Sequence, residues 1–135
     1  MKTTIKSIAI VGMMALTIAS CKKDDGDAEM SINFKTGTGY TSADAGIDGG
    51  TAVKIGIEAE TDKKKDPLIK FNISESVNGG TNASVYSEDL NDLTTYDYDY
   101  NFTLDTTTGD AHKYTFTVTN RDGITKQTAL TITIQ

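Results

Sequence analysis

His112 is the only imidazole in the chain and Cys21 the only thiol. A zinc centre of His and Cys ligands draws on three or four such side chains, so that class is excluded, and a transition-metal site made of carboxylates alone would be weak. A Ser–His–acid relay needs only one imidazole, but no Gly-x-Ser-x-Gly elbow is present to hold its nucleophile. His112 therefore reads as a partly exposed residue near the start of a strand. Gly37-Thr38-Gly39 is not followed by a Lys-Ser/Thr pair or by a helix pattern, so it does not cradle phosphate.

The acidic residues form the one conspicuous cluster. Glu88, Asp89, Asp92, Asp97 and Asp99 fall within twelve residues that contain no Lys or Arg. Hard oxygen donors are what Ca²⁺ takes, six to eight at a time. Asp97-x-Asp99-x-Asn101 matches the first three ligand positions of an EF-hand loop, then fails, with Phe102 at the required Gly and Thr108 at the bidentate Glu. What remains is a calcium site at a domain rim drawing on Asp89, Asp92 and Asp97, set against a plain solvated acidic edge. The same carboxylates could flank a glycosidic bond, but a domain of this size rarely encloses a sugar between them. Tyr96, Tyr98 and Tyr100 alternate with polar residues and continue into Phe102 and Leu104. An aromatic row can stack on sugars or meet a partner. A strand with one buried face makes most of this row core, and leaves Tyr96, nearest a loop, as the possible contact residue.

The N-terminus carries a different kind of chemistry. Lys2 and Lys6 precede an apolar stretch from Ile8 to Ala19, too short to span a bilayer as a helix. It ends in Ile18-Ala19-Ser20-Cys21, which closely resembles the lipobox of bacterial lipoproteins. That resemblance implies cleavage between Ser20 and Cys21, a diacylglyceryl group on the Cys21 thiol and acylation of its new amine. Two or three acyl chains hold a soluble domain to a membrane where one does not. Residues 21–28 are almost devoid of apolar side chains and read as an acidic tether. Within it Lys23-Asp24-Asp25 resembles the export signal that carries some lipoproteins to the outer face of the outer membrane. Cell-surface display is the favoured expectation and a periplasm-facing anchor the alternative.

The remaining 29–135 must supply the fold. Removing residues 1–20 takes the formal net charge from −6 to −8, because Lys2 and Lys6 are lost. An acidic surface repels phosphate backbones, and the only basic run, Lys63-Lys64-Lys65, sits between Asp62 and Asp66, so no nucleic acid is expected as a partner. Apolar residues recur with period two, the mark of half-buried strands. The sets are Met30/Ile32/Phe34, Val53/Ile55/Ile57/Ala59, Ile69/Phe71/Ile73, a weaker Ala83/Val85, the Tyr96–Leu104 row, Tyr114/Phe116/Val118 and Leu130/Ile132/Ile134. Asn78-Gly79-Gly80, Arg121-Asp122-Gly123, Asp48-Gly49-Gly50 and Thr108-Gly109-Asp110 supply turn chemistry. No convincing helical period follows residue 29, and residues 87–95 allow one helical turn at most. About seven strands in roughly 107 residues predict an all-β, antiparallel sandwich, with a closed barrel as the alternative.

The last 25 residues sharpen that expectation. Tyr114-Thr115-Phe116-Thr117-Val118, the Arg121-Asp122-Gly123 turn and Leu130-Thr131-Ile132-Thr133-Ile134 resemble the final two strands of immunoglobulin-like, fibronectin type III and PKD-like modules. Asp110 and Tyr114 resemble the pair that opens the penultimate strand, which implies a tyrosine corner. Phe116 stands where antibody domains carry Cys and the chain has no Trp, which excludes the disulfide-bearing branch. The functional expectation is a non-enzymatic, lipid-anchored binding or adhesion module with a protein or glycan partner and no cofactor beyond that calcium. A structural subunit assembling by strand exchange and a small enzyme are the alternatives.

Overall fold

A computed structural model describes residues 29–62 and 64–135. The expected signal peptide and its cleavage site at Ser20 and Cys21, with the expected tether and its Lys23-Asp24-Asp25, lie outside the described residues. Eight strands follow one another: β1 (Met30–Phe34), β2 (Ala45–Ile47), β3 (Ala52–Thr61), β4 (Leu68–Val77), β5 (Ala83–Leu93), β6 (Thr95–Thr103), β7 (Ala111–Asn120) and β8 (Thr125–Ile134). They form a three-stranded sheet, β1-β3-β6, and a five-stranded sheet, β2-β8-β7-β4-β5. The chain crosses between sheets at β1–β2, β2–β3, β3–β4, β5–β6 and β6–β7 and makes hairpins at β4–β5 and β7–β8. This is an immunoglobulin-like β-sandwich.

Four details depart from the sequence pattern. The eighth strand is β2, only three residues long, which pairs parallel with β8 while all other pairings are antiparallel. Its Ala-Gly-Ile sequence is too short to show a period. The segment expected to allow a helical turn, 87–95, is instead the end of β5 and the start of β6, with Thr94 alone carrying the crossover. β5 turns its Ala83 and Val85 outward and contributes Leu90 to the core. In β4 a register shift between Leu68 and Lys70 puts Leu68, rather than Ile69, beside Phe71 and Ile73 in the interior.

The core forms where the two inner faces meet. Ile55 and Ile57 from one sheet face Phe71, Ile73, Phe116 and Ile132 from the other, all fully buried. Phe34 meets Phe116 edge-on at 5.7 Å, and Phe102 meets Tyr114 at 4.8 Å, so aromatic contacts join the sheets. Burial of such rings is the dominant favourable contribution to a fold of this kind. In the β4–β5 connection, 78–82, Asn78 and Gly79 both take left-handed backbone, φ 53° and 75°, at the centre of a turn that the Gly80 amide closes on the Val77 carbonyl.

The register fixes two ends. At one lie Met30, Thr61, Leu68, Leu93, Thr95 and the Asn120–Thr125 turn, because Met30 pairs with Thr61, Glu60 with Thr95 and Leu68 with both Leu93 and Asn120. At the other lie the 78–82 turn, the 104–110 connection and the Asp48–Thr51 turn, where Gly50 donates to the carbonyl of Leu104.

Candidate functional site

The inner face of β7 runs His112, Tyr114, Phe116, Val118, Asn120, all buried. His112 is thus the outermost member of the core row, and it lies where the sandwich opens at the end opposite Met30. It is 5% exposed, not partly exposed as its sequence position suggested. The period of two already extends back to His112, and that was the signal available to place it inside. The inner face of β4 likewise runs Phe71, Ile73, Glu75, which turns a carboxylate toward the same mouth.

Glu75 Oε1 lies 2.6 Å from His112 Nδ1. On the other side of the ring, His112 Nε2 lies 3.4 Å from Asp105 Oδ2, close enough for charge pairing but without hydrogen-bond geometry. Among the described residues Nε2 has no hydrogen-bond partner although it is buried. Asp110 completes the group: one ligand atom each from Asp105, Asp110 and His112 lie within 4.8 Å of one another.

Local structure holds each member. Asp105 Oδ1 accepts from the Thr107 amide at 2.8 Å, an Asx turn that fixes its side chain. Asn78 of the hairpin turn grips the start of β7: its Oδ1 accepts from the Ala111 amide and its Nδ2 donates to Asp110 Oδ1, at 2.8 and 2.9 Å. The Asp110 backbone is tied to Thr107 and to Ile134, the last residue of β8. Tyr114 places its hydroxyl beside the Glu75 carboxylate, and burial first and that carboxylate second push its ionisation well above the ordinary tyrosine value. The Tyr114 hydroxyl thus meets the Glu75 side chain, which is not the bond to upstream backbone that the implied tyrosine corner makes.

The acidic residues selected for calcium are dispersed. Asp92 pairs with Arg121 at 3.1 Å and Asp97 with Lys35 at 2.9 Å, while Asp89 stands opposite Lys70 in the β4–β5 ladder. Asp89 and Asp92 belong to an edge strand of one sheet and Asp97 to an edge strand of the other. Lys35 also bonds Asp99 at 2.8 Å, and Tyr40 donates to Asp99 at 3.1 Å. The hydrogen bond from Lys35 holds the Asp99 carboxyl below the usual range. Asp92, Asp97 and Asp99 thus have protein cations as partners, and the charge run does not converge.

Tyr96 is the reverse of an exposed contact residue. It is 9% exposed, the most buried of the Tyr96/Tyr98/Tyr100 row, and packs on Phe71 at 5.1 Å with its hydroxyl donating to Glu88. The β5–β6 crossover folds over the residue nearest it. Tyr86 stacks on Tyr98 at 4.6 Å, and its hydroxyl donates at 3.0 Å to the same Glu88 Oε2 that Tyr96 uses. Burial, with Glu88 next, pushes Tyr86 up to about 12.

No family model matches the chain, and no curated protein matches it. Among solved structures it is similar to the sporulation control protein Spo0M of Bacillus subtilis, at 15% identity and a TM-score of 0.44 over 82% of this chain and 50% of that one. A CARDB domain from Pyrococcus furiosus, described in complex with di-metal ions, gives 11% identity and 0.45 over 80% and 96%. A beta-glucosidase of Listeria innocua gives 6% and 0.45 over 78% of this chain and 16% of the enzyme. The chain thus spans half the length of Spo0M and a small part of the glucosidase.

Proposed function

We propose that this chain is a lipid-anchored, non-enzymatic binding module of the bacterial cell envelope. Cys21 carries the anchor, the residues after it act as a tether, and the sandwich engages a protein or glycan partner. Lys23-Asp24-Asp25 favours the outer face of the outer membrane over a periplasm-facing position. The observation that supports this reading is the polarity of the sandwich. The chain joins it at Met30, beside Thr61, whereas the 78–82, 104–110 and 48–51 segments gather at the opposite end. A domain tethered through residues 21–28 would present those segments away from the membrane. β5 adds a long free edge, with Val85 and Leu93 each more than a third exposed. Assembly by exchange of the final strand is the less favoured reading, because β8 is paired on both sides, with β2 and β7.

The test is fractionation of cells grown with labelled palmitate. The wild-type chain is expected in the membrane fraction with label, and Cys21→Ser in the soluble fraction without it. A Cys21→Ser chain that still incorporates label and still sediments with membranes would overturn the anchor.

A further inference from the structure

We infer that His112, Asp105 and Asp110 form a binding site for a first-row divalent cation of the Zn²⁺ class at the end of the sandwich opposite Met30. A neutral imidazole that donates Nδ1–H to Glu75 leaves its lone pair on Nε2. That lone pair is buried, has no hydrogen-bond partner among the described residues and faces the Asp105 carboxylate at 3.4 Å. A buried nitrogen lone pair set against a carboxylate calls for something positive between them, either a proton or a metal ion.

Three features favour the metal. The Glu75–His112 contact has the form of the outer carboxylate that orients a ligating histidine and raises its basicity. Asp110 brings a second carboxylate to the same point, which a proton shared between His112 and Asp105 would not use. Asp105 and Asp110 also come fixed in position, by the Thr107 amide and by Asn78, each through its Oδ1. Metal bonds of about 2.0–2.2 Å place tetrahedral ligands about 3.3–3.6 Å apart. The three ligand atoms are within 4.8 Å of one another, so small rotations of the aspartates close the site. One nitrogen and two carboxylate oxygens suit Zn²⁺ and its neighbours, whereas Ca²⁺ and Mg²⁺ take oxygen throughout. Asp105 is half exposed, so a further coordination position faces solvent, open to water or to a donor from a partner.

Because His112 is the only imidazole, one pair of ring-nitrogen resonances reports the site. The experiment uses the full ¹⁵N-labelled chain, purified without a histidine tag, titrated with ZnCl₂ and followed by long-range ¹H–¹⁵N correlation and calorimetry. The expected result is one Zn²⁺ per chain, a large shift at Nε2 with Nδ1 still protonated, and at least a tenfold weaker affinity in Asp105→Asn and in Asp110→Asn. Both substitutions keep an Oδ1 for the existing contacts, and either one suffices if the other fails to fold. CaCl₂ at the same concentration is expected to leave Nε2 unmoved. An Nε2 that carries a proton and ignores stoichiometric Zn²⁺ would overturn the site in favour of an imidazolium held between Glu75 and Asp105. Equal affinity in the wild type and both variants, or a response to Ca²⁺ matching that to Zn²⁺, would overturn it as well.

Discussion

Glu75 Oε1 and His112 Nδ1 lie 2.6 Å apart across the β4–β7 ladder, joining two polar residues that continue the apolar inner rows of their strands. Directly opposite Glu75 is Tyr114, and His112 is the next inward residue of β7. The sandwich therefore ends in a polar group of three residues where the sheets part. Removal of one member leaves the others desolvated. Glu75→Ala is expected to cost about 1–3 kcal/mol, the penalty for a buried donor without a partner, read from urea unfolding. A change within about half a kcal/mol, the range of ordinary surface substitutions, would place the pair outside the folded core's energetics.

Phe116 is fully buried and Thr117, on the other face of β7, is only half-buried. Phe116→Ala is expected to cost about 3–5 kcal/mol through lost burial and the cavity left behind. Thr117→Ala is expected to cost less than about 1 kcal/mol. Unfolding midpoints that coincide for the two variants would contradict the inward face assigned to this strand.

Tyr86 has its ionisation raised to about 12, first by burial and then by Glu88, and Tyr96, Tyr100 and Tyr114 are raised by burial in the same way. A phenol whose folded pKa exceeds its unfolded value of about 10 contributes stability that is complete below pH 10. That contribution falls as pH rises from about 10 toward 12. Tyrosinate absorbance is therefore expected to appear mainly above pH 10 and to rise together with loss of near-ultraviolet circular dichroism. Most tyrosines ionising near pH 10 while the fold persists would argue against their burial.

Calcium is expected to leave the acidic segment unaffected. Asp92 and Asp97 hold Arg121 and Lys35, and the two carboxylates belong to different sheets. Millimolar CaCl₂ should shift the melting temperature no further than NaCl at equal ionic strength, which controls for screening. A larger shift with calcium would restore the site on Asp89, Asp92 and Asp97.

The period of two made most of the fold legible. Val53/Ile55/Ile57/Ala59 and Leu130/Ile132/Ile134 line the core as the alternation implies. What escaped it has physical causes. A three-residue strand such as β2 is too short for a period, and the shift beside Lys70 exchanges Ile69 for Leu68 in the interior. Thr94 turns the chain between sheets within one residue, which buries Tyr96 where a longer loop would have exposed it. The His112 site escaped for another reason. Its ligands come from the start of β7 and the connection before it, its orienting Glu75 from β4, and its clamp Asn78 from a hairpin turn. Charge density along the chain pointed to residues 88–99, but convergence in space depends on register, and register brings Val77 opposite His112. Asp105 carried no local mark of its role.

The proposed anchoring of the sandwich through Cys21 is tested most directly by the intact mass of the native protein extracted from cells. The expected chain begins at Cys21 and carries the added mass of a diacylglyceryl group with or without an amide-linked acyl chain, all of it on the N-terminal peptide. A mass that matches the unmodified chain, or an N-terminal peptide in which Cys21 is a free thiol, would contradict it.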